Sequence, residues 1–225
     1  MYVTTHLLDP TRQAAVGGFD ATLSVLLPPD YSAFLREYGP GTYTGEVNID
    51  YPDQAVILTT FGDYRDLWTL NDAFNEADLM HAVQLATTTD GDILCVAPNR
   101  AEQVFVLPRH SEQVIVYPSF WDAVDSLTSS EGLYFDPVFE AVYEQISLAK
   151  DNQLVDINLL HRSFQEQFKT DFLVNATTQP KYFFQSFGGW VSFDLVYRNT
   201  ITIKYQQPFT LLVQPILKLL REQTD

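Results

Sequence analysis

Four short apolar runs between His81 and Tyr117 constrain the fold of this 225-residue chain more than any other feature. Residues 81–89 (HAVQLATTT) and 92–97 (DILCVA) flank Asp90-Gly91, a dipeptide suited to a tight hairpin turn because its glycine tolerates positive φ. Residues 103–107 (QVFVL) and 113–117 (QVIVY) follow, separated by a longer turn at 108–112. Runs this short, punctuated by turns, pair as antiparallel strands. With Asp90 and Gly91 as the two turn residues, Thr89 faces Asp92, Thr87 faces Leu94 and Leu85 faces Val96. Leu85, Leu94 and Val96 then share one face, and Cys95 lies beside Ala86 on the other.

Helical patterns surround these strands. In residues 27–41 (LPPDYSAFLREYGPG), Tyr31, Phe34, Leu35 and Tyr38 recur at helical spacing, Pro28 and Pro29 precede them, and Gly39 and Pro40 stop the helix. Residues 11–26 are less periodic and contain Gly17 and Gly18, which predicts only a short helix. Residues 45–52 (GEVNIDYP) alternate as a strand ended by proline. Leu70, Phe74 and Ala77 predict a helix over 67–79, and Ser119 caps a helix over 119–127 with Phe120, Val124 and Leu127 inward. Residues 1–134 thus read as one α+β domain, a curled antiparallel or mixed sheet with helices on a single face. Residues 135–225 read as an α+β extension: helices over 137–146 and 154–168, a hairpin across Arg198-Asn199, a third strand over 208–213 and a helical end at 216–220. The six aromatics between Tyr182 and Phe193 form either core or an exposed patch beside Gly188-Gly189.

The charge is uneven. Residues 1–134 carry 19 Asp or Glu against five Arg and no Lys, whereas residues 135–225 carry ten acids against eight bases. Such a field repels nucleic-acid phosphates, which argues against direct nucleic-acid binding, and attracts a basic protein. The same excess also fits plain surface solvation or a salt-adapted host. No run is long and apolar enough for a membrane span, no secretory leader pattern is visible, and one cysteine, Cys95, excludes an internal disulfide. A cytoplasmic protein without a membrane role is the expectation. Phosphate-binding loops, a nucleophile elbow and a HExxH pattern are absent, so no cofactor or metal is expected. An enzyme would need His81, Asp92, Cys95 and His110 gathered in space. Packing for Cys95 and turn formation for Asp92 require less.

The order LPPDYSAFLREYGPG, GEVNIDYP, TTDGDILCVAP, QVFVL, QVIVYP and SFWDAVDSL resembles the SMI1/KNR4 family, also called the SUKH superfamily, over about residues 20–130. Leu27, Pro28, Tyr31, Phe34, Leu35, Tyr38, Gly39 and Gly41 carry its first motif, Pro52 the second, Gly91 and Asp92 the third, and Ser119 and Phe120 the last. The resemblance implies a non-enzymatic protein-binding fold. Many bacterial members are immunity proteins that neutralise toxin domains, often nucleases, and fungal members act in cell-wall regulation. The expected partner is therefore a basic protein such as a toxin domain; a regulatory or scaffold protein with a non-toxin partner is the alternative. Oligomeric state is left open. Clustering after the YGPG turn makes Tyr43, Glu46, Asp50, Tyr51, Asp53, Asp63 and Asp66 the candidate contacts, acids for steering around an apolar centre.

Overall fold

A computed structural model describes all residues except 24–25, 64–65, 99, 101–102, 130–131, 151–152 and 223–225. The chain divides into two units, one formed by Leu8–Ser130 and the other by Met1–Leu7 together with Glu131–Asp225. The second unit therefore begins with strand β1 (Tyr2–Val3), which the sequence pattern does not signal.

The Leu8–Ser130 unit opens with α1 (Arg12–Thr22) and α2 (Pro29–Tyr38). Helix α1 is longer than its glycines predict. A Cβ at Gly17 or Gly18 would meet nothing within 4 Å, and the Arg12 guanidinium ties the helix start to the carbonyls of Glu37 and Asp9. Strands β2 (Gly41–Tyr43) and β3 (Val47–Asp53) follow. Pro52 lies inside β3 rather than ending it, at an irregularity between Ile49 and Asp53. Helix α3 (Val56–Phe61) was not legible, and the helix expected over 67–79 shrinks to α4 (Glu76–Met80). The reason is local: Asn71 Oδ1 accepts from the N–H groups of Ala73 and Phe74, and Asn75 forms a capping box with Asp78. These side chains hold a turn and a cap where the helix would have continued.

Strands β4 (Val83–Thr88), β5 (Ile93–Val96), β6 (Val104–Leu107) and β7 (Ile115–Tyr117) complete an antiparallel run ordered β2-β3-β4-β5-β6-β7, and α5 (Phe120–Ser126) closes the unit. Ser119 caps α5 as expected, accepting from Asp122 N–H at 3.1 Å. The sheet is covered on both faces, not one. Ile57, Trp68, Phe74 and Leu79 pack with Ile93, Cys95, Phe105 and Leu107 on one side, and α5, packed on α2, meets β6 on the other.

The β4–β5 hairpin exists, but its turn is longer than two residues. Thr88 N–H donates to Asp92 O, and Gly91 N–H to Thr88 O, leaving Thr89, Asp90 and Gly91 in the loop. Thr87 therefore pairs with Ile93, Ala86 with Leu94 and Gln84 with Cys95, with a register shift between Gln84 and Ala86. Ala86 shares a face with Leu94, contrary to the two-residue reading. A three-residue loop ending in a positive-φ glycine satisfies the same Asp-Gly signal.

The second unit pairs β1 in parallel with β8 (Tyr134–Pro137). Residues 137–146 are not helical. Val138 to Glu140 turn the chain, with Glu140 at φ 50°, into β9 (Ala141–Ser147). A short pair, β10 (Ala149–Lys150) with β11 (Gln153–Leu154), leads to α6 (Ile157–Gln167). Then come β12 (Phe172–Val174), β13 (Lys181–Phe184), β14 (Gly189–Phe193) and β15 (Thr200–Gln206), and last α7 (Thr210–Glu222). The sheet order is β12-β13-β14-β15-β9. The strand expected over 208–213 is instead the start of α7, because Val213, Ile216, Leu217 and Leu220 form one buried helical stripe. The aromatic cluster is core: Tyr182, Phe184, Phe187 and Phe193 pack with α6 and α7 residues such as Phe164 and Ile216.

Buried polar groups stitch this unit to its own N-terminus. Lys204, fully buried, pairs with Asp136, whose carboxylate also accepts from Thr4 Oγ1 at 2.7 Å and Trp190 Nε1 at 2.8 Å. Thr5 donates to Gln206, whose amide in turn donates to the carbonyls of Leu7 and Phe139.

Two stability predictions follow from these contacts. Lys204→Met leaves the Asp136 carboxylate without its cation and should cost about 3–5 kcal/mol, read from denaturant unfolding. Gly91 and Gly39 have φ of 92° and 76°, and a Cβ at Gly91 would meet Arg109 Cδ at 2.8 Å, whereas one at Gly39 would meet nothing closer than 3.7 Å. Arg109 is exposed and its side chain can move aside, so thermal melts should show Gly39→Ala and Gly91→Ala each losing about 1 kcal/mol, with additive effects in the double variant.

Candidate functional site

Two concavities flank the Thr88–Asp92 turn of the first unit. The polar one, about 440 Å³, is lined by Glu46, Thr88, Asp90, Asp92, Thr128 and Ser129 among others. Most of its carboxylates are already engaged. Glu46 accepts from Ser129 N–H at 2.7 Å and Ser129 Oγ at 2.6 Å, and from Thr44 Oγ1 at 3.1 Å. Asp92 accepts from Arg109 N–H at 2.8 Å and Thr88 Oγ1 at 3.1 Å, while Asp92 N–H donates back to Thr88 Oγ1. These bonds hold the turn and the chain after α5; Asp90, at the loop tip, is exposed.

The second concavity, about 370 Å³, is apolar, lined by Phe61, Leu67, Trp68, Ile93, Pro108 and Arg109, with Gly91 between it and the polar side. Trp68 Nε1 donates to Pro108 O at 2.9 Å and its ring meets Phe61 at 5.2 Å, so the cleft floor is fixed. Leu67 is 43% exposed on its wall and Leu58, on α3, is 48% exposed. Asp63 and Asp66, on the segment carrying Leu67, are exposed.

The sequence-derived contacts separate into two groups. Asp50, Asp63 and Asp66 are exposed. Tyr43 is buried against Trp121, ring centroids 5.2 Å apart, so its ring is core and not contact surface. Tyr51 packs on Phe19 at 5.6 Å with its hydroxyl buried and without a hydrogen-bond partner among the described residues, and burial pushes its phenol pKa up. Glu46 is held by Ser129, and Asp53 accepts from the N–H groups of Ala55 and Val56 at the start of α3. Burial also raises the Asp50 carboxyl above the usual range. Phe61, Trp68 and Pro108, the cleft itself, are absent from the sequence-derived contacts; the available signal is the apolar pair Leu67-Trp68 beside Asp63 and Asp66.

The gathered enzyme site does not form. Cys95 is fully buried in the core, and burial drives its thiol far above the ordinary range, whereas His81 and His110 are exposed. Asp92 is engaged by the turn. Among the described residues no group of three or more His, Cys, Asp or Glu is placed to hold a metal ion, and no helix is long and apolar enough to cross a membrane.

The model of the SMI1 / KNR4 family (SUKH-1) matches residues 10–126, more than half of the chain. The chain belongs to the SMI1/KNR4 family. No curated protein and no solved structure matches it. The matched segment falls within the Leu8–Ser130 unit and contains both concavities except for Leu127 to Ser129 at the polar rim. Its motif residues are architectural. Leu35 and Phe120 are buried, Gly39 ends α2, and Gly91 and Asp92 form the hairpin turn.

Cys95 gives a direct check on this arrangement. Native protein should resist an aromatic disulfide reagent at pH 8 and react stoichiometrically once unfolded; rapid native labelling would show that the sheet opens locally.

Proposed function

We propose that this SMI1/KNR4 protein is an immunity-type binding protein that neutralises a basic toxin domain, with a nuclease as the favoured class. The observation that carries the reading is an apolar cleft with a fixed floor inside a unit of strongly negative charge: residues 8–130 hold 18 acids against five Arg. A nuclease presents cations where it holds phosphate, and an acidic surface competes for that groove. Long-range attraction accelerates encounter, while a desolvated apolar contact slows departure. Family membership supports a binding role over catalysis, since the shared motif residues build the sheet and its turns, and the Asp92 carboxylate that lines the polar concavity is held by Arg109 N–H and Thr88 Oγ1.

Co-expression with a basic polypeptide encoded beside this gene, followed by affinity capture and a toxicity assay, tests the reading. The expected result is a stable complex and restored growth; toxicity unrelieved despite expression of both chains contradicts it. Within such a complex, Asp63→Asn with Asp66→Asn should lower the association rate and weaken its salt dependence, and Leu67→Asp should raise the dissociation rate about tenfold or more. Surface plasmon resonance at several ionic strengths separates the two effects.

A further inference from the structure

The five-stranded sheet of the second unit has one face packed under α6 and α7 and another face of different chemistry. Ladder partners place side chains of that other face in rows. Trp190, Lys204 and Tyr143 lie across one row, and Lys181, Ser192, Thr202 and Gln145 across the next. The first row is engaged from within the unit: Asp136 takes the Lys204 ammonium and the Trp190 indole N–H, and the Lys181 ammonium lies 4.5 Å over the Trp190 ring. The second row opens into a cleft of about 250 Å³ lined by Gln145, Gln179, Ser192, Asp194, Thr200 and Thr202.

The lining narrows the ligand class. Asp194, the one carboxylate among the described lining residues, accepts from the N–H groups of Val196 and Tyr197 in its own turn. The other five side chains are neutral, each a donor and an acceptor. Lys181, at the β13 end of the row, turns its ammonium over the Trp190 ring and does not line the cleft, so a phosphate or carboxylate ligand meets no counter-charge among the described lining residues; with a mostly polar wall, a lipid or apolar side chain gains little on entry. A neutral polyhydroxylated ligand matches amides and hydroxyls that give and accept in equal measure. Beside the cleft, two residues along β9 from Gln145, Tyr143 is 59% exposed, a flat amphipathic ring against which the C–H face of a sugar packs.

We infer that this sheet face is a binding site for a neutral oligosaccharide, with Gln145, Ser192 and Thr202 hydrogen-bonding hydroxyls of one ring and Tyr143 stacking on the next. The site lies outside the family-matched segment, so it is a property of this chain's additional unit.

Titration of the full-length ¹⁵N-labelled protein with maltohexaose, cellohexaose and chitohexaose, each separately, tests it. At least one should cause saturable shifts centred on Gln145, Ser192 and Thr202, with a dissociation constant of about 0.1–10 mM, as suits a shallow polar site. Tyr143→Ala and Thr202→Val should each weaken that binding about fivefold or more while leaving the melting temperature nearly unchanged, since both positions are solvent-facing. Absence of saturable shifts for all three sugars up to about 10 mM overturns the inference. So does saturable binding that survives both substitutions or maps to other residues.

Discussion

Burial of β5 and β6 on both faces is the constraint on which the first unit depends. All eight residues from Ile93 to Val96 and from Val104 to Leu107 are at most 6% exposed. Strands with only apolar side chains cannot leave one face to water, so a second layer had to be built opposite α2 and α5. That layer comes from α3, α4 and the segment carrying Trp68 and Phe74, a stretch with little regular structure. At about 1.5–3 kcal/mol per fully buried aliphatic side chain, covering these strands outweighs the weak helix propensity of the segment that does it. The cleft beside Gly91 lies at the margin of that layer, where Phe61, Leu67 and Trp68 meet Ile93 and Pro108. The apolar concavity at this place is thus a consequence of how the sheet is covered.

What could be read beforehand divides along the same physical line. Features set by local chemistry were legible: the Ser119 cap, the α2 stop at Gly39 and the Asp90-Gly91 turn each depend on residues adjacent in sequence, whereas the hairpin read across Arg198-Asn199 pairs as expected but loops over 194–199, because β14 ends at Phe193 and Asp194 Oδ1 accepts from the N–H groups of Val196 and Tyr197. Features set by tertiary partners were not. The Val138, Val142 and Ile146 spacing fits a helix, but the pairing of Ala141–Ser147 with β15 decides for a strand. The apolar residues after Pro208 fit either class until α7 buries Val213, Ile216 and Leu217 on one side. Strand β1 has too little pattern to read; it is held by β8 and by the hydroxyls of Thr4 and Thr5 in a network whose other members lie more than 130 residues away.

The same distinction applies to the candidate contacts. Acids were chosen by their clustering in sequence, yet clustering after a turn is also where a chain needs acceptors for unpaired backbone donors. Asp53 at the start of α3 and Glu46 under Ser129 answer that need. Tyr43 and Tyr51 alternate with polar neighbours as surface aromatics would, but one packs on Trp121 and the other on Phe19. Asp53 stays exposed while accepting from the N–H groups of Ala55 and Val56, and Asp50, Asp63, Asp66 and Asp90 are exposed as well.

This division of labour shapes what the acidity can do. A carboxylate engaged by backbone N–H groups still contributes its charge to the long-range field, but it cannot turn toward a partner without freeing donors that then need new acceptors. Engaged and exposed acids alike therefore attract a basic surface, while only the exposed ones can form close pairs at low cost, and pairs at an exposed rim contribute little to affinity. Tight binding through this unit consequently requires desolvated apolar contact. In the proposed complex the cleft floored by Trp68 is that contact, beside the segment bearing Asp63 and Asp66, and rate and residence then rest on different residues of one small surface.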